Sequence, residues 1–312
     1  MEIPGGLLAR SGLLPTGLTL PARESVAWQV RHEGNLGVLR RLDPRWFPPE
    51  RHSTHARVAW LHGFLERLGE TGFPAPVPIR AFNGQSLTYF DDAWWELVTY
   101  LPGHAIGWNS TASLVDVGAF LARYHRAAAT VTLSDQRPGA VPLDSITHCK
   151  ASGELRIWLQ ALTHDLDRIG HNDSERLVIH GDYTTNNVLV ADPGGGQAPT
   201  GVIDFTLSYL EAPLADIGFG LWRSGRPYQD ALNLDASRVS DFVAGYAKES
   251  PLPQSAAQAI SVYIRARGVQ QAVKAQMITR PPAAMLSERV GWLAAHEHEL
   301  SACIASALRP QS

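Results

Sequence analysis

The chain has 312 residues, of which 45% are hydrophobic and 18% are charged, and its formal net charge is −3. This composition is typical of a globular protein and excludes a disordered chain, and the lack of a long basic run argues against nucleic-acid binding. Cys149 and Cys303 form neither a disulfide nor a zinc pattern, and no apolar run suits a signal peptide or a membrane span, so we expect a cytoplasmic protein without nucleic-acid or membrane partners.

Residues 1–102 are predicted to contain several strands and one main helix. Apolar residues recur at helical spacing over residues 55–68, and Gly72 with the prolines that follow ends this helix. Runs rich in β-branched and aromatic residues predict strands at residues 26–30, 36–42, 86–90 and 94–100. Leu101-Pro102-Gly103 interrupts the last strand, and we place a domain boundary after Pro102.

Residues 103–312 are predicted to be mostly helical, apart from one β-hairpin. Helices are expected around residues 114–125 and over residues 237–247, 255–276 and 286–308. Apolar runs at residues 188–190 and 201–203 flank a segment dense in turn residues, which predicts the hairpin. A further apolar run at residues 177–179 leads into the most informative motif of the chain.

This motif is His180-Gly181-Asp182, with Asn187 five positions after Asp182 and Asp204 22 positions after it. In the predicted hairpin Asn187 precedes one strand and Asp204 follows its partner, so both side chains emerge at the same end. A kinase-type phosphoryl transfer needs one group that accepts the proton of the attacking hydroxyl and oxygen ligands for Mg²⁺. An aspartate, an asparagine and a second aspartate supply these groups.

The segments VIHGDYTTNNVLV and TGVIDF resemble the aminoglycoside phosphotransferase and choline kinase superfamily of kinase-like small-molecule phosphotransferases. The resemblance implies an α+β, bilobal protein-kinase-like fold, with a small β-rich N-terminal lobe and a larger, mostly helical lobe that carries the catalytic hairpin. It implies that residues 1–102 bind nucleotide and that residues 103–312 carry the catalytic and acceptor-binding groups. Asp182 would be the catalytic base, Asn187 and Asp204 the Mg²⁺ ligands, and His180 a brace for the loop.

The resemblance also implies a nucleotide site for ATP, with GTP not excluded. Arg40 takes the place of the basic residue that holds the phosphates, Ser25 lies where a phosphate-positioning loop is expected, and the backbones of Thr99 and Leu101 would face the adenine. Kinase-like folds pair the basic residue with a glutamate on the following helix, but Arg57 stands there in this chain. This departure leaves a catalytically impaired nucleotide-binding module as an alternative.

The remaining candidates concern loop support and the acceptor. Asp216 matches a family aspartate that follows the metal ligand, and we interpret it as structural. Residues that could contact an acceptor are the cations Arg267 and Lys274 and the aromatic residues Trp222 and Trp292. Candidate acceptors are an aminoglycoside or another antibiotic, as in antibiotic resistance, a sugar, an amino alcohol, or homoserine. A protein kinase is disfavoured because no activation segment is present.

Overall fold

The computed structural model describes residues 2–20, 26–42, 51–107, 113–133, 135–138, 140, 142–143, 146, 148–149, 153–192, 198–277 and 284–309, without the side chains of 51–53, 276–277 and 284. The chain divides into two compact units. One comprises Met1–Pro102 with Val131–Gly139, and the other comprises Gly103–Thr130 with Ala140–Ser312. None of the described helices has both the length and the apolar character needed to cross a membrane.

The first unit is built on a five-stranded antiparallel sheet with the strand order β1-β2-β3-β5-β4. Its strands are β1 (Leu14–Leu20), β2 (Val26–His32), β3 (Asn35–Arg41), β4 (Leu87–Phe90) and β5 (Ala93–Thr99). Helix α1 (Gly5–Ser11) precedes the sheet, and the long helix α2 (Arg51–Glu70) connects β3 to the later strands. Apolar side chains from β2, β3 and β5 form the core of the unit together with Leu7 of α1.

The four predicted strands and the main helix of this unit are confirmed, but α1 and β1 were not predicted. The reason is visible in β1, where nearly every side chain is exposed and no alternation of apolar and polar residues marks a buried face. Leu14 and Leu18 both face solvent. Because β1 lies at the edge of the sheet, its pairing with β2 fixes it as a strand without the period-two pattern that sequence reasoning needs.

The second unit combines short strands with seven helices in its described part. The strands are β6 (His104–Ala105), β7 (Leu177–Ile179), β8 (Val188–Val190), β9 (Pro199–Val202) and β10 (Tyr209–Glu211). The helices are α3 (Leu114–Ala129), α4 (Gly153–Arg168), α5 (Pro213–Ser224), α6 (Ala236–Glu249), α7 (Ala256–Met277), α8 (Ala284–Ala295) and α9 (Glu297–Ala307). Two short 3₁₀ turns, His171–Asp173 and Phe205–Leu207, complete the described elements. The fold is therefore α+β, as predicted.

The predicted hairpin is confirmed, because β8 and β9 pair antiparallel with Val188 opposite Val202. The strand β7 pairs with β10, which the sequence did not predict, in a separate two-stranded sheet. The single helix predicted over residues 286–308 is wrong, since His296 leaves the helical region (φ −112°, ψ 17°) and separates α8 from α9. Its ring nitrogen contacts the Trp292 carbonyl, and such local side-chain bonds compete with regular helix geometry.

Helix α7 lies at the centre of the second unit and packs against α5. It has buried residues all around its circumference, among them Ile260, Tyr263, Ile264 and Val269. Polar side chains in such a helix must find partners. Arg267 and Gln270 of α7 are both buried: Arg267 donates to Gln270 on the same helix and to Asp182 in the loop after β7.

Candidate active site

The loop that follows β7 is anchored by the carboxylate of Asp216. Asp216 is completely buried near the start of α5, and its two oxygens accept hydrogen bonds from the backbone N–H groups of His180 (2.7 Å) and Gly181 (2.9 Å). His125 of α3 adds a contact of 3.2 Å from Nε2. Burial alone would raise the pKa of Asp216, but the His125 hydrogen bond and the nearby imidazoles lower it below its usual value. The ionised carboxylate of Asp216 therefore holds the loop in place through these hydrogen bonds.

Gly181 and His180 give the loop its shape. Gly181 has φ +74°, and a Cβ atom there would collide with the backbone oxygen of Leu207. The N–H of Asp182 donates to Nδ1 of His180 over 3.3 Å, so that nitrogen is an acceptor, and Nε2 donates to the carbonyl of Ile203 over 3.0 Å. His180 therefore ties the loop to Ile203, the residue directly before Asp204.

Asn187 and Asp204 are brought together by the hairpin. The N–H of Ile203 donates to the carbonyl of Asn187 over 2.8 Å, which places the residue preceding Asp204 beside Asn187. Asp204 itself has left-handed backbone angles (φ 62°, ψ 65°) and begins the 3₁₀ turn, where its carboxylate accepts a long hydrogen bond of 3.4 Å from the Thr206 N–H. Positive φ at a residue other than glycine is costly and is concentrated at functional sites.

The side chains of Asn187 and Asp204 are suitable ligands for Mg²⁺. The amide nitrogen of Asn187 donates to the backbone oxygen of Asp182 over 2.9 Å, so its amide oxygen is directed away from that bond. The carboxylate of Asp204 is solvent-exposed. Mg²⁺ prefers oxygen ligands and is usually held by one or two side chains together with phosphates. In the described part of the chain, no three His, Cys, Asp or Glu side chains form a metal-binding group, so the phosphates would have to complete the ligand set.

Asp182 is only partly exposed, and a buried arginine holds it. Nη2 of Arg267 donates to Oδ1 of Asp182 over 2.8 Å. The second oxygen, Oδ2, has a weak contact of 3.4 Å with the Asn187 amide. The Arg267 guanidinium lies over the Phe219 ring at 5.0 Å and also bonds to Gln270. Arg267, proposed from the sequence as an acceptor-binding cation, thus contacts the predicted base directly.

The other residues predicted to contact the acceptor, Trp222, Lys274 and Trp292, lie on helices α5, α7 and α8 of the second unit. Trp222 of α5 is buried, and Gly268, the neighbour of Arg267, packs against its ring. Trp292 of α8 stacks on His296 at 4.4 Å, and no described contact joins it to Asp182. Lys274 is partly exposed two turns of α7 beyond Arg267. The structure therefore brings Arg267 and Trp222 near one another through Gly268, but does not assign Lys274 or Trp292 to the site.

The first unit carries the predicted phosphate-binding cation, Arg40, on β3. Arg40 lies directly opposite Glu96 of β5, and both Nε and Nη2 are 2.5 Å from Oε1 of that glutamate. His62 of α2 contacts the other oxygen at 3.0 Å and Ser86 at 2.7 Å. Burial opposes ionisation of Glu96, but the charge of Arg40 and the bond to His62 outweigh it and lower its pKa to about 2. Arg40 therefore has a carboxylate partner, supplied by a strand.

The other residues considered for the nucleotide site are Thr99, Leu101, Arg57 and Ser25, of which the structure describes the first three. The Thr99 N–H donates to the Val77 carbonyl over 2.8 Å, and the Thr99 hydroxyl accepts from the Val77 N–H over 2.9 Å, so this N–H is already used within the unit. The N–H of Leu101 has no acceptor among the described residues. Arg57 is partly buried on α2, where burial lowers its pKa. Ser25 lies outside the described residues.

The fold and the loop geometry define a kinase-like phosphotransferase, and comparison with known proteins gives the family. The model of the phosphotransferase enzyme family matches residues 22–252, which is more than half of the chain. The chain belongs to this family. The prediction of a phosphotransferase with an alcohol acceptor is thereby confirmed at the level of the family, as is the predicted superfamily.

Similar proteins include curated homoserine kinases and solved small-molecule kinases. A homoserine kinase from Gluconacetobacter diazotrophicus is 27% identical over 68% of this chain and 67% of its own length. One from Granulibacter bethesdensis is 26% identical over 80% of this chain and 76% of its own. Amicoumacin kinase, solved with AMP-PNP and Ca²⁺, has a TM-score of 0.66 at 16% identity and covers 96% of this chain and 94% of its own. A microcompartment-associated aminopropanol kinase has a TM-score of 0.61 at 16% identity, with 93% of each chain covered. These two structures confirm the protein-kinase-like fold.

Three contacts of these sites were not predicted. Glu96 was missed as the partner of Arg40, although an acid inside the apolar run of β5 was a usable signal. His125 was recognised only as part of an apolar helix face, and it proves to bond Asp216. The contact from Arg267 to Asp182 spans 85 residues of sequence, and no local pattern indicates it.

Proposed function

We propose that this protein transfers the γ-phosphoryl group of ATP to a hydroxyl of a small polar acceptor, with Mg²⁺ as the metal. The observation that carries the proposal is the convergence of Asp182, Asn187 and the Asp204 turn through the bonds from Asn187 to Asp182 and from Ile203 to Asn187. An aspartate beside two oxygen ligands is the arrangement that phosphoryl transfer requires. The free cysteines and the need for ATP support a cytoplasmic location.

In this mechanism Asp182 orients the acceptor hydroxyl and receives its proton. Oδ1 is held by Arg267, so Oδ2, with only the long contact to Asn187, is the oxygen that takes the proton. The hydroxyl oxygen forms a bond to the γ-phosphorus while the bond between that phosphorus and the bridging oxygen breaks, and ADP leaves. Because the loop is fixed by Asp216 and His180, the carboxylate needs little reorganisation when the acceptor arrives.

Asn187 and Asp204 would hold the metal through the amide oxygen and the carboxylate. Bound there, Mg²⁺ would neutralise charge on the nucleotide phosphates. Asn187 also links this function to the base, since its amide nitrogen bonds the Asp182 carbonyl. A change at Asn187 should therefore affect both metal affinity and the position of the catalytic loop.

Arg40 would bind the phosphates, and its pairing with Glu96 supports an active enzyme over an impaired binding module. The sequence suggested impairment because Arg57, and not a glutamate, stands at the expected pairing position of α2. Glu96 supplies the missing carboxylate from β5, and Arg40 keeps part of its guanidinium accessible while Glu96 is buried. A planar guanidinium so held can form paired bonds to phosphate oxygens.

Homoserine is the first acceptor to test. The relatives described above are named homoserine kinases, although their identity of 26–27% does not fix the substrate of this chain. A kinase for a polycationic aminoglycoside would be expected to present a strongly acidic acceptor region. In the second unit the groups around Asp182 instead include the buried cation Arg267.

A coupled assay of ADP release tests the proposal, with L-homoserine, amino alcohols, sugars and aminoglycosides as acceptors. We expect acceptor-dependent release that requires Mg²⁺, and an Asp182→Asn variant that is slower by about 10²–10⁴-fold, as for loss of a general base. Asp167→Asn, at an exposed position of α4, is the matched control and should retain full activity. Near-normal turnover by Asp182→Asn would refute the assigned base.

A further inference from the structure

Arg226, just after the end of α5, is a buried cation without an anionic partner in the described part of the chain. Its side chain is only 2% exposed, and no hydrogen bond or ion pair from its guanidinium to any described residue is present. Its guanidinium lies over the ring of Trp222, with 4.3 Å from the guanidinium carbon to the ring centroid. Burial, aided by the positive charge of Arg289, lowers the pKa of Arg226 to about 9.

Such an arrangement opposes folding unless an anion completes it. Burying a charge is strongly unfavourable without a partner, and a cation–π contact recovers only part of the lost hydration. The nearby Arg289 adds a second positive charge. Its Nη2 donates to the Gln229 carbonyl over 2.8 Å and it interacts electrostatically with Asp230, but its Nε is buried without a described hydrogen-bond partner. Two guanidinium groups with unused donors form the kind of fork that binds a carboxylate or another oxyanion.

The position of Arg226 relative to the catalytic loop follows from α5. Phe219 and Trp222 are three residues apart, so they share a face of this helix about 4.5 Å apart along its axis. Arg267, which bonds Asp182, lies over Phe219, and Arg226 lies over Trp222. Gly268 packs closely against Trp222, since a Cβ atom at residue 268 would lie 2.8 Å from the ring. Arg226 and Arg267 thus lie over two aromatic residues that are neighbours on one face of α5.

We propose that Arg226, with Arg289, binds the carboxylate of an acceptor whose hydroxyl lies at Asp182, so that the substrate is a small hydroxy acid or hydroxy amino acid. This inference rests on the proposed function, because it assumes an acceptor phosphorylated at Asp182. It assigns a separate role to each stacked arginine. Arg267 positions the base, whereas Arg226 recognises the negative end of the substrate.

The test compares two ligands that differ only by the carboxylate, L-homoserine and 3-aminopropan-1-ol. Their affinities are measured by calorimetry without ATP, and their kcat/KM values by ADP release, for the wild type, Arg226→Met and Arg226→Gln. We expect Arg226→Met to weaken L-homoserine binding by about 100-fold, mainly through KM, and to affect 3-aminopropan-1-ol far less. Arg156→Met, at an exposed position of α4, should match the wild type.

Stability without ligand gives a readout that does not depend on catalysis. Removing an uncompensated buried charge should raise the Tm of Arg226→Met, whereas loss of a structural arginine would lower it. Equal weakening of both ligands, or no binding of L-homoserine and 4-hydroxybutanoate to the wild type, would overturn the subsite. Binding of inorganic phosphate that is lost in Arg226→Met while L-homoserine binding persists would also overturn it. Retained carboxylate-dependent binding without ADP release would support the subsite and contradict the proposed function.

Discussion

Arg267 of α7 donates a hydrogen bond to the carboxylate of Asp182 over 2.8 Å, and so joins a core helix to the loop after β7. The arginine is held in turn by the Phe219 ring and by Gln270. Arg267 therefore holds one carboxylate oxygen of Asp182, the predicted base, and is itself held by Phe219 and Gln270. The orientation of Asp182 then depends on the packing of α5 against α7 as well as on its own loop.

Replacing Arg267 with methionine should lower kcat by about 10–100-fold, because Asp182 loses the bond that orients it. The KM for ATP should change little, since Arg267 has no described contact with the nucleotide-site candidates. Arg267→Lys keeps the charge and should recover part of kcat. A purely structural role predicts instead a fall in Tm with no recovery by lysine. Steady-state kinetics and thermal melts of the two variants separate these outcomes.

Glu96→Gln should destabilise the first unit by about 3 kcal/mol, because it leaves the buried Arg40 and His62 contacts without their carboxylate. The KM for ATP should rise as Arg40 loses its orientation. Glu66→Gln is the matched control, because Glu66 pairs with Arg80 at the surface and such pairs contribute at most about 1 kcal/mol. Denaturant unfolding and ATP titrations measure both effects, and equal losses for the two variants would contradict the role of Glu96.

The stability of the protein should decrease in acid partly through Glu96. Its folded-state pKa of about 2 is below the ordinary value of 4.5, so its contribution is complete above that value. As pH falls toward 2 the unfolded state takes up the proton first, and the contribution is lost. The difference in free energy of unfolding between the wild type and Glu96→Gln should therefore shrink below about pH 4.5. A difference that does not vary with pH would show that folding does not shift the pKa of Glu96.

Asp216→Asn should loosen the catalytic loop, because an amide cannot accept both backbone hydrogen bonds with the strength of a carboxylate. We expect a destabilisation of about 2 kcal/mol and faster hydrogen exchange at the amides of His180 and Gly181. Asp241→Asn, on the exposed face of α6, provides the comparison. If exchange at these two amides is unchanged in Asp216→Asn, the loop is held by other contacts.

Short-range sequence patterns correctly predicted elements whose structure depends mainly on neighbouring residues, such as the hairpin. The hairpin of β8 and β9 follows from two apolar runs and a turn-rich connection, and its pairing brings Asn187 beside Ile203. The motif spacing then predicted that Asp182 lies on the loop beside them. By contrast, β1 lacks an apolar face, and the break at His296 depends on one side-chain contact, so neither has a periodic signal.

Pairings between distant segments were beyond sequence reasoning. The contact of Arg40 with Glu96 depends on the register of β3 against β5, and these residues are 56 positions apart. The expectation of a partner on α2 came from other kinase-like folds. Arg267 was interpreted as an acceptor-binding cation, because nothing in its neighbours shows that α7 is enclosed on all sides. The contacts of Glu96 and of Arg267 both depend on the burial of these side chains, which cannot be predicted from single positions of the sequence.

The location of Glu96 has a consequence for control of the enzyme. Where the acidic partner lies on a helix, displacing that helix separates the ion pair and switches the kinase off. Here the pair is formed by two neighbouring strands of one sheet, and α2 contributes only the His62 contact. A swing of α2 alone would leave the arginine and the glutamate together, so movement of this helix would not separate the ion pair.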